Sequence, residues 1–114
     1  MKLFSWREDH GDLARAKAHA ADGGQALVVG VPPLRVPERS GPTQYGYLFD
    51  QDRARLVRTA RIFGVRRVKV DKPGKPGQHV NLWGSPLVAA LEVALEEGRL
   101  APDRAGRSSS QTTA

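Results

Sequence analysis

Residues 25–31, QALVVGV, form a continuous apolar run rich in β-branched side chains and closed by Pro32 and Pro33, the pattern of a strand buried on both faces. This is the natural centre of a sheet. Upstream, Leu3, Phe4 and Trp6 read either as a short strand or as an anchor of the amino terminus on the core. Between them lies an alanine-rich segment with Asp12 placed as N-cap and Gly23 and Gly24 as its stop, which predicts a helix over 12–22 with small side chains suited to close packing.

The segment PPLRVPERSGPT carries four prolines and a glycine and predicts a loop with extended pieces. Residues 45–49 regain aromatic strand character, and Asp50 stands where a cap would open a helix over 50–63, ahead of Gly64. At about 100° per residue, Leu56, Val57, Ala60 and Phe63 fall on one face of that helix and Arg55, Arg58 and Arg61 near the other. Residues 65–70 alternate in part, with Val68 and Val70 on one side and Arg67 and Lys69 on the other, as in a half-buried strand with a positive outer face.

Two proline-glycine pairs in 71–78 are each suited to a turn, and 79–82 predicts a further short strand. Ser85 as N-cap, Pro86 as first helical residue and Gly98 as stop predict a helix over 86–97, with Leu87, Val88, Leu91, Ala94 and Leu95 sharing a face. The polar ending GRSSSQTTA lacks the apolar content to order itself. The expected organisation is one α/β domain over 1–101, with a small mixed sheet of three to five strands packed with about three helices, then a disordered tail over 102–114.

Composition narrows the chemistry. With no cysteine, thiolate nucleophiles, disulfides and cysteine-ligated metal centres are excluded. His10 and His19 stand nine residues apart without a third ligand, so neither a metal nor a cofactor is expected. No nucleophile elbow, Walker loop or dinucleotide glycine motif is present. The apolar runs fall far short of the roughly 20 residues that span a bilayer, and charged Arg7, Glu8 and Asp9 follow the first residues where a secretory signal would be apolar. A cytoplasmic protein without membrane contact is the expectation.

The formal net charge of +6 and pI of about 10.3 permit attraction to nucleic acid, to an anionic membrane or to an acidic protein, and equally reflect coding bias. The positive charge concentrates between Arg55 and Trp83. Arg55, Arg58, Arg61, Arg66, Arg67, Lys69, Lys72 and Lys75 are candidate phosphate ligands, His79 and Asn81 share the outward or inward face of one strand at the site edge, and Trp83 is available to stack on a base. The same pattern also describes a solvated face whose arginine stems cover apolar surface. His79 is the candidate acid–base group if the chain is instead a small hydrolase or nuclease.

The order YGYLFD, helix, GVRRVKV, DKPGKPG, HVNL and a helix opening at Ser85 resembles the domain of unknown function 4031 family of bacteriophages and bacteria, over about residues 45–98. Tyr47 stands where that family usually has histidine, Asn81 where it has aspartate and Pro86 where lysine is common, and the family's early paired aspartates have no equivalent in VVGVPPLR. The resemblance implies an α/β architecture and an origin in a phage or other mobile element. The leading expectation is a non-enzymatic accessory protein that binds DNA or RNA. A protein–protein interaction module, such as an inhibitor of a host defence complex, is the alternative, and a small hydrolase or nuclease using His79 the third.

Overall fold

A computed structural model describes residues 1–6, 11–31 and 45–100. The proline-rich segment over 32–44 and the expected tail over 102–114 lie outside the described residues. The elements are β1 (Lys2–Ser5), α1 (Gly11–Ala21), β2 (Ala26–Val31), β3 (Tyr45–Phe49), α2 (Arg53–Ile62), β4 (Val70–Asp71), β5 (His79–Leu82) and α3 (Gly84–Leu100). β1 and β2 pair in parallel, with α1 as the crossover. All other pairings are antiparallel, giving a five-stranded mixed sheet in the order β1-β2-β3-β5-β4. The expected α/β domain with three helices is therefore what the described residues form.

Alternation along the strands sorts side chains to two faces. On one, Leu27, Leu48, Val80 and Leu82 meet Leu56, Ala60 and Phe63 of α2 and its C-cap and Ala90 and Ala94 of α3. Each fully buried leucine there contributes about 1.5–3 kcal/mol. On the other, Ala26, Val28, Val31 and Phe49 meet Ala16 and Ala20 of α1. These two alanines are 0% and 1% exposed, so the expected close packing of a small-residue helix is realised. α1 packs mainly on β1 and β2 and touches β3 more lightly, so its cover fades toward β5 and β4.

The central run over 26–31 is not a regular strand throughout. Val28 pairs with Tyr47 and Val31 with Tyr45, so β2 carries one residue more than β3 between those points. Gly30, at φ +81°, takes within this bulge a left-handed conformation that glycine adopts without steric cost.

Four local expectations are corrected. Asp52, not Asp50, caps α2, accepting from the Arg55 amide at 3.0 Å. Asp12 lies inside the first turn of α1, buried beside Arg15 instead of preceding the helix. The predicted strand over 65–70 shrinks to Val70–Asp71, because α2 ends in a left-handed Gly64 (φ +106°) that donates to the Arg61 carbonyl while Val65 donates to that of Ala60. Val65 and Val68 then reach the core from irregular chain. Finally, α3 starts two residues earlier than expected and runs through Gly98, and it faces the sheet with Ala90 and Ala94, leaving Val88 and Leu95 56% and 51% exposed. Small residues at the centre of the contact let the helix settle close, which turns Val88 and Leu95 to the flank.

Candidate nucleic-acid interface

Arg55 does not belong to the positive surface. Its Nε and one terminal nitrogen clamp the two oxygens of Asp50 at 2.7 and 2.8 Å, and the same nitrogen donates to the Gly23 carbonyl at 2.8 Å. Asp50 is fully buried and also accepts from Gln25 Nε2 at 2.8 Å and from the Asp52 amide at 2.9 Å. A buried carboxylate that accepts from this many donors is fully satisfied in place and fixes its arginine. The Asp50 carboxyl hydrogen bond is the largest cause raising the Arg55 pKa. Arg55 is thus a structural clamp between α2 and the turn after α1.

The other candidates differ in kind. Arg58, Arg61, Arg66, Arg67, Lys69, Lys72 and Lys75 are all exposed, and none makes an ion pair with a described residue. Arg58 and Arg61 lie on the outer side of α2, and Arg66, Arg67 and Lys69 on the irregular chain that follows. Lys72 and Lys75 sit in two successive turns closed by Lys75 N–H to Lys72 O and Gln78 N–H to Lys75 O, at 3.0 and 3.1 Å. Each turn has proline second and a positive-φ glycine third, Gly74 at +77° and Gly77 at +86°, the conformation these dipeptides favour. Gln78 locks the second turn to the core, donating to the Asp50 carbonyl at 2.8 Å and accepting from the Gly74 amide at 2.7 Å.

His79, Asn81 and Trp83 follow one another on the same side of β5. The register sets Phe49 opposite His79 and Tyr47 opposite Asn81, and Tyr45 stacks on Trp83 with ring centroids 5.5 Å apart and 26° between planes. Tyr47 lies 4.7 Å from the His79 ring centroid. Asp71, opposite His79 on β4, accepts from Asn81 Nδ2 at 2.8 Å and stands 3.5 Å from His79 Nε2. The two strands therefore present a ladder of rings and amides where the cover of α1 fades.

Burial is the main cause lowering the His79 pKa, against the upward pull of its bond to the Gly77 carbonyl and of Asp71. The ring is neutral near pH 7, with Nδ1–H donating to Gly77 O at 2.8 Å. Tyr47 is raised, first by burial and then by Asp71, and stays a neutral phenol. Such a group is a poor general base and a good stacking and hydrogen-bonding wall.

At the open end of β5, past the two paired residues of β4, lies a pocket of about 490 Å³. Val65, Leu82 and Pro86 supply its apolar lining, and Arg66, Arg67, Asn81 and Trp83 supply charge, an amide and an indole. Trp83 is 49% exposed despite its stacking on Tyr45, so a second ring face remains open. Asn81 Oδ1 is buried and has no hydrogen-bond partner among the described residues. The structure thus gathers Arg66, Arg67, Asn81 and Trp83 at one place, while Lys72, Lys75 and His79 belong to the opposite end of β5.

Sequence reading missed Tyr45, Tyr47 and Asp71 as neighbours of His79 and Asn81, and Lys17, whose side chain reaches the Gly77 turn and lowers the His79 pKa. The alternation Tyr45, Tyr47, Phe49 and His79, Asn81, Trp83 was visible, but only the β3–β5 pairing turns two rows into one surface. Among the described residues no group of three or more histidine or carboxylate side chains could hold a metal ion, and no helix is long and apolar enough to cross a membrane. No family model, curated protein or solved structure matches the chain, so the resemblance noted above rests on its short motifs alone.

Proposed function

We propose that the chain is a non-enzymatic accessory protein that binds nucleic acid, with Arg58, Arg61, Arg66, Arg67, Lys69, Lys72 and Lys75 on phosphates and Trp83, Asn81 and His79 along the adjoining edge. The observation that carries this reading is the contrast with Arg55. One arginine of the basic segment is spent on a buried aspartate, whereas seven cations in the same stretch are exposed and pair with no carboxylate among the described residues. Uncompensated cations of one sign on a helix, a loop and a turn raise the local potential and favour a polyanion. An aromatic ring at the end of that surface suits unpaired bases better than a closed duplex.

Binding to single-stranded DNA and RNA in low salt tests the proposal. The affinity is expected to fall steeply with added salt and to weaken when Arg66 and Arg67 become alanine. Negligible binding in low salt, or affinity indifferent to the double substitution, contradicts it. The motif resemblance supports a phage or mobile-element setting for such an accessory protein.

A protein-interaction module is the second reading, favoured by Val88 and Leu95, two exposed apolar side chains seven residues apart on one side of α3, and by Ile62, 79% exposed at the end of α2. Its signature is a complex with a host protein that survives nuclease treatment. The hydrolase reading has less support, because His79 Nδ1 is committed to the Gly77 carbonyl and Nε2 faces Asp71.

A further inference from the structure

We infer that Lys17 of α1 and Lys72, which meet over the Gly77 turn, together hold one phosphate group of the bound strand. The inference rests on the proposed nucleic-acid binding and adds to it an anchoring point at the His79 end of β5, with a ligand from outside the basic segment. Gly77, at φ +86°, has no side chain to separate the two lysine stems. A Cβ begun there would stand 3.6 Å from Lys17 Cε and 3.8 Å from Lys72 Cδ. Gly77 is buried, and these stems help to cover it, the arrangement in which a long cation packs its carbons and keeps its charged head in water. Lys17 comes from the crossover helix between β1 and β2 and Lys72 from the turn after β4, so only the fold brings them together.

Both charges act on the same ring. After burial, Lys72 and Lys17 lower the His79 pKa, against the upward pull of the Gly77 carbonyl bond and of Asp71. Asp71 accepts from Asn81 Nδ2 at 2.8 Å, and neither lysine pairs with a carboxylate among the described residues. Two like charges drawn together repel until an anion joins them. Ammonium groups act as point charges on the several oxygens of a phosphate, where a planar carboxylate is better matched by an arginine fork. The ground beneath is fixed in advance. Gln51 Nε2 donates to the Lys75 carbonyl at 3.1 Å, Gln78 ties the turn to the Asp50 carbonyl, and His79 Nδ1–H donates to the Gly77 carbonyl. Lys72, at φ +53°, is alone among the described non-glycine residues in having a positive φ, a conformation that persists only where the surroundings hold it.

The test uses the full chain, a thymidine octanucleotide and inorganic phosphate, with the histidine rings followed by NMR titration. Saturating octanucleotide is expected to raise the His79 pKa, and to raise it more than that of His19, because a phosphate beside Lys17 and Lys72 offsets two of the charges that lower it. That shift is read in the parent chain, without any substitution. Lys17→Gln is expected to raise the His79 pKa of the free protein, to shrink the shift on binding and to weaken the octanucleotide about fivefold at about 0.1 M salt, the share of one phosphate contact. Lys17→Arg, which keeps the charge, is expected to retain the shift. Salt-dependent binding that leaves the His79 pKa unmoved, or that Lys17→Gln does not weaken, overturns the site while leaving the proposed function intact. Inorganic phosphate that moves His79 where the octanucleotide does not bind would give the site to a free phosphate and overturn both the strand assignment and the proposed function. A chain that binds neither in low salt overturns the site and the function together.

Discussion

Asn81 Nδ2 donates to Asp71 Oδ2 at 2.8 Å, across β5 and the two-residue β4, and this bond decides which end of the Asn81 amide is left over. Asp71 also sits 3.5 Å from His79 and is, after burial, the second cause raising the Tyr47 pKa, so one carboxylate pulls upward on both rings of the ladder. Replacing it by asparagine, Asp71→Asn, removes the charge and leaves burial as the remaining upward cause on Tyr47. The Tyr47 pKa is expected to fall toward its ordinary value. Ultraviolet titration of the tyrosinate band in a Tyr45→Phe background reads Tyr47 alone, since the chain has two tyrosines; an unmoved or higher midpoint would contradict the coupling.

Stability should weaken on mild acidification. His79 has a folded pKa lowered by burial, and that of His19 is lowered by burial, then by Lys2 and the amino terminus. In the unfolded chain both rings protonate near about 6.5, so below that pH the unfolded state binds more protons. The stabilisation is complete above about 6.5 and lost as pH falls from there through the lowered folded values. The urea midpoint is expected to drop between about pH 7.5 and about pH 5, and His79→Gln to flatten part of the slope, with the His19 share remaining. A midpoint that rises over that interval would show the rings to be held protonated.

Removing the Arg55 clamp should cost far more than removing any arginine of the outer surface. Arg55→Met leaves the fully buried Asp50 with Gln25 and the Asp52 amide as its donors among the described residues. A loss of roughly 2–3 kcal/mol is expected, below the full cost of stranding a buried charge because those donors persist. Arg58→Met, with no ion pair to a described residue to lose, should stay within about 0.5 kcal/mol. Chemical denaturation of the two variants side by side checks the contrast, and equal effects would refute the division between clamp and surface.

Gly46 on β3 has no room for a side chain. A Cβ there would stand 2.5 Å from Leu87 Cδ1 and 3.0 Å from the Val28 carbonyl oxygen. Leu87 can shift, the strand carbonyl cannot, and Gly46→Ala should cost about 1–3 kcal/mol through displacement of the α3 start from the sheet. Thermal unfolding reads the loss directly. A variant as stable as the parent would mean that α3 docks more loosely on β3 than the structure shows.

The two proline-glycine turns, the helix stop at Gly23 and Gly24, and the strands over 45–49 and 79–82 were legible because each depends on local chemistry. Less legible was anything decided by a partner distant in sequence. Asp50 and Asp52 are equally good caps when viewed locally, and only burial against Gln25 and Arg55 assigns Asp50 to the core. Val65 and Val68 look like strand residues because they are apolar and alternate with arginines, but the left-handed Gly64 sends them inward without pairing. The basic residues of the candidate interface were readable as charge. Their division into a clamp, a surface and a pocket depended on which of them met a carboxylate, which spacing along the chain does not encode.

The central claim, that exposed cations between Arg58 and Lys75 hold nucleic-acid phosphates, is tested most directly by the salt dependence of binding to a single-stranded oligonucleotide. Log affinity against log salt concentration is expected to be linear, with a slope of about −0.7 for each phosphate neutralised, and to become shallower by about 1.4 when both Arg66 and Arg67 are replaced by alanine. The same substitution of Arg55 is not interpretable this way, since it disturbs the fold. A slope near zero in the parent chain, or one left unchanged by the double substitution, would contradict the account.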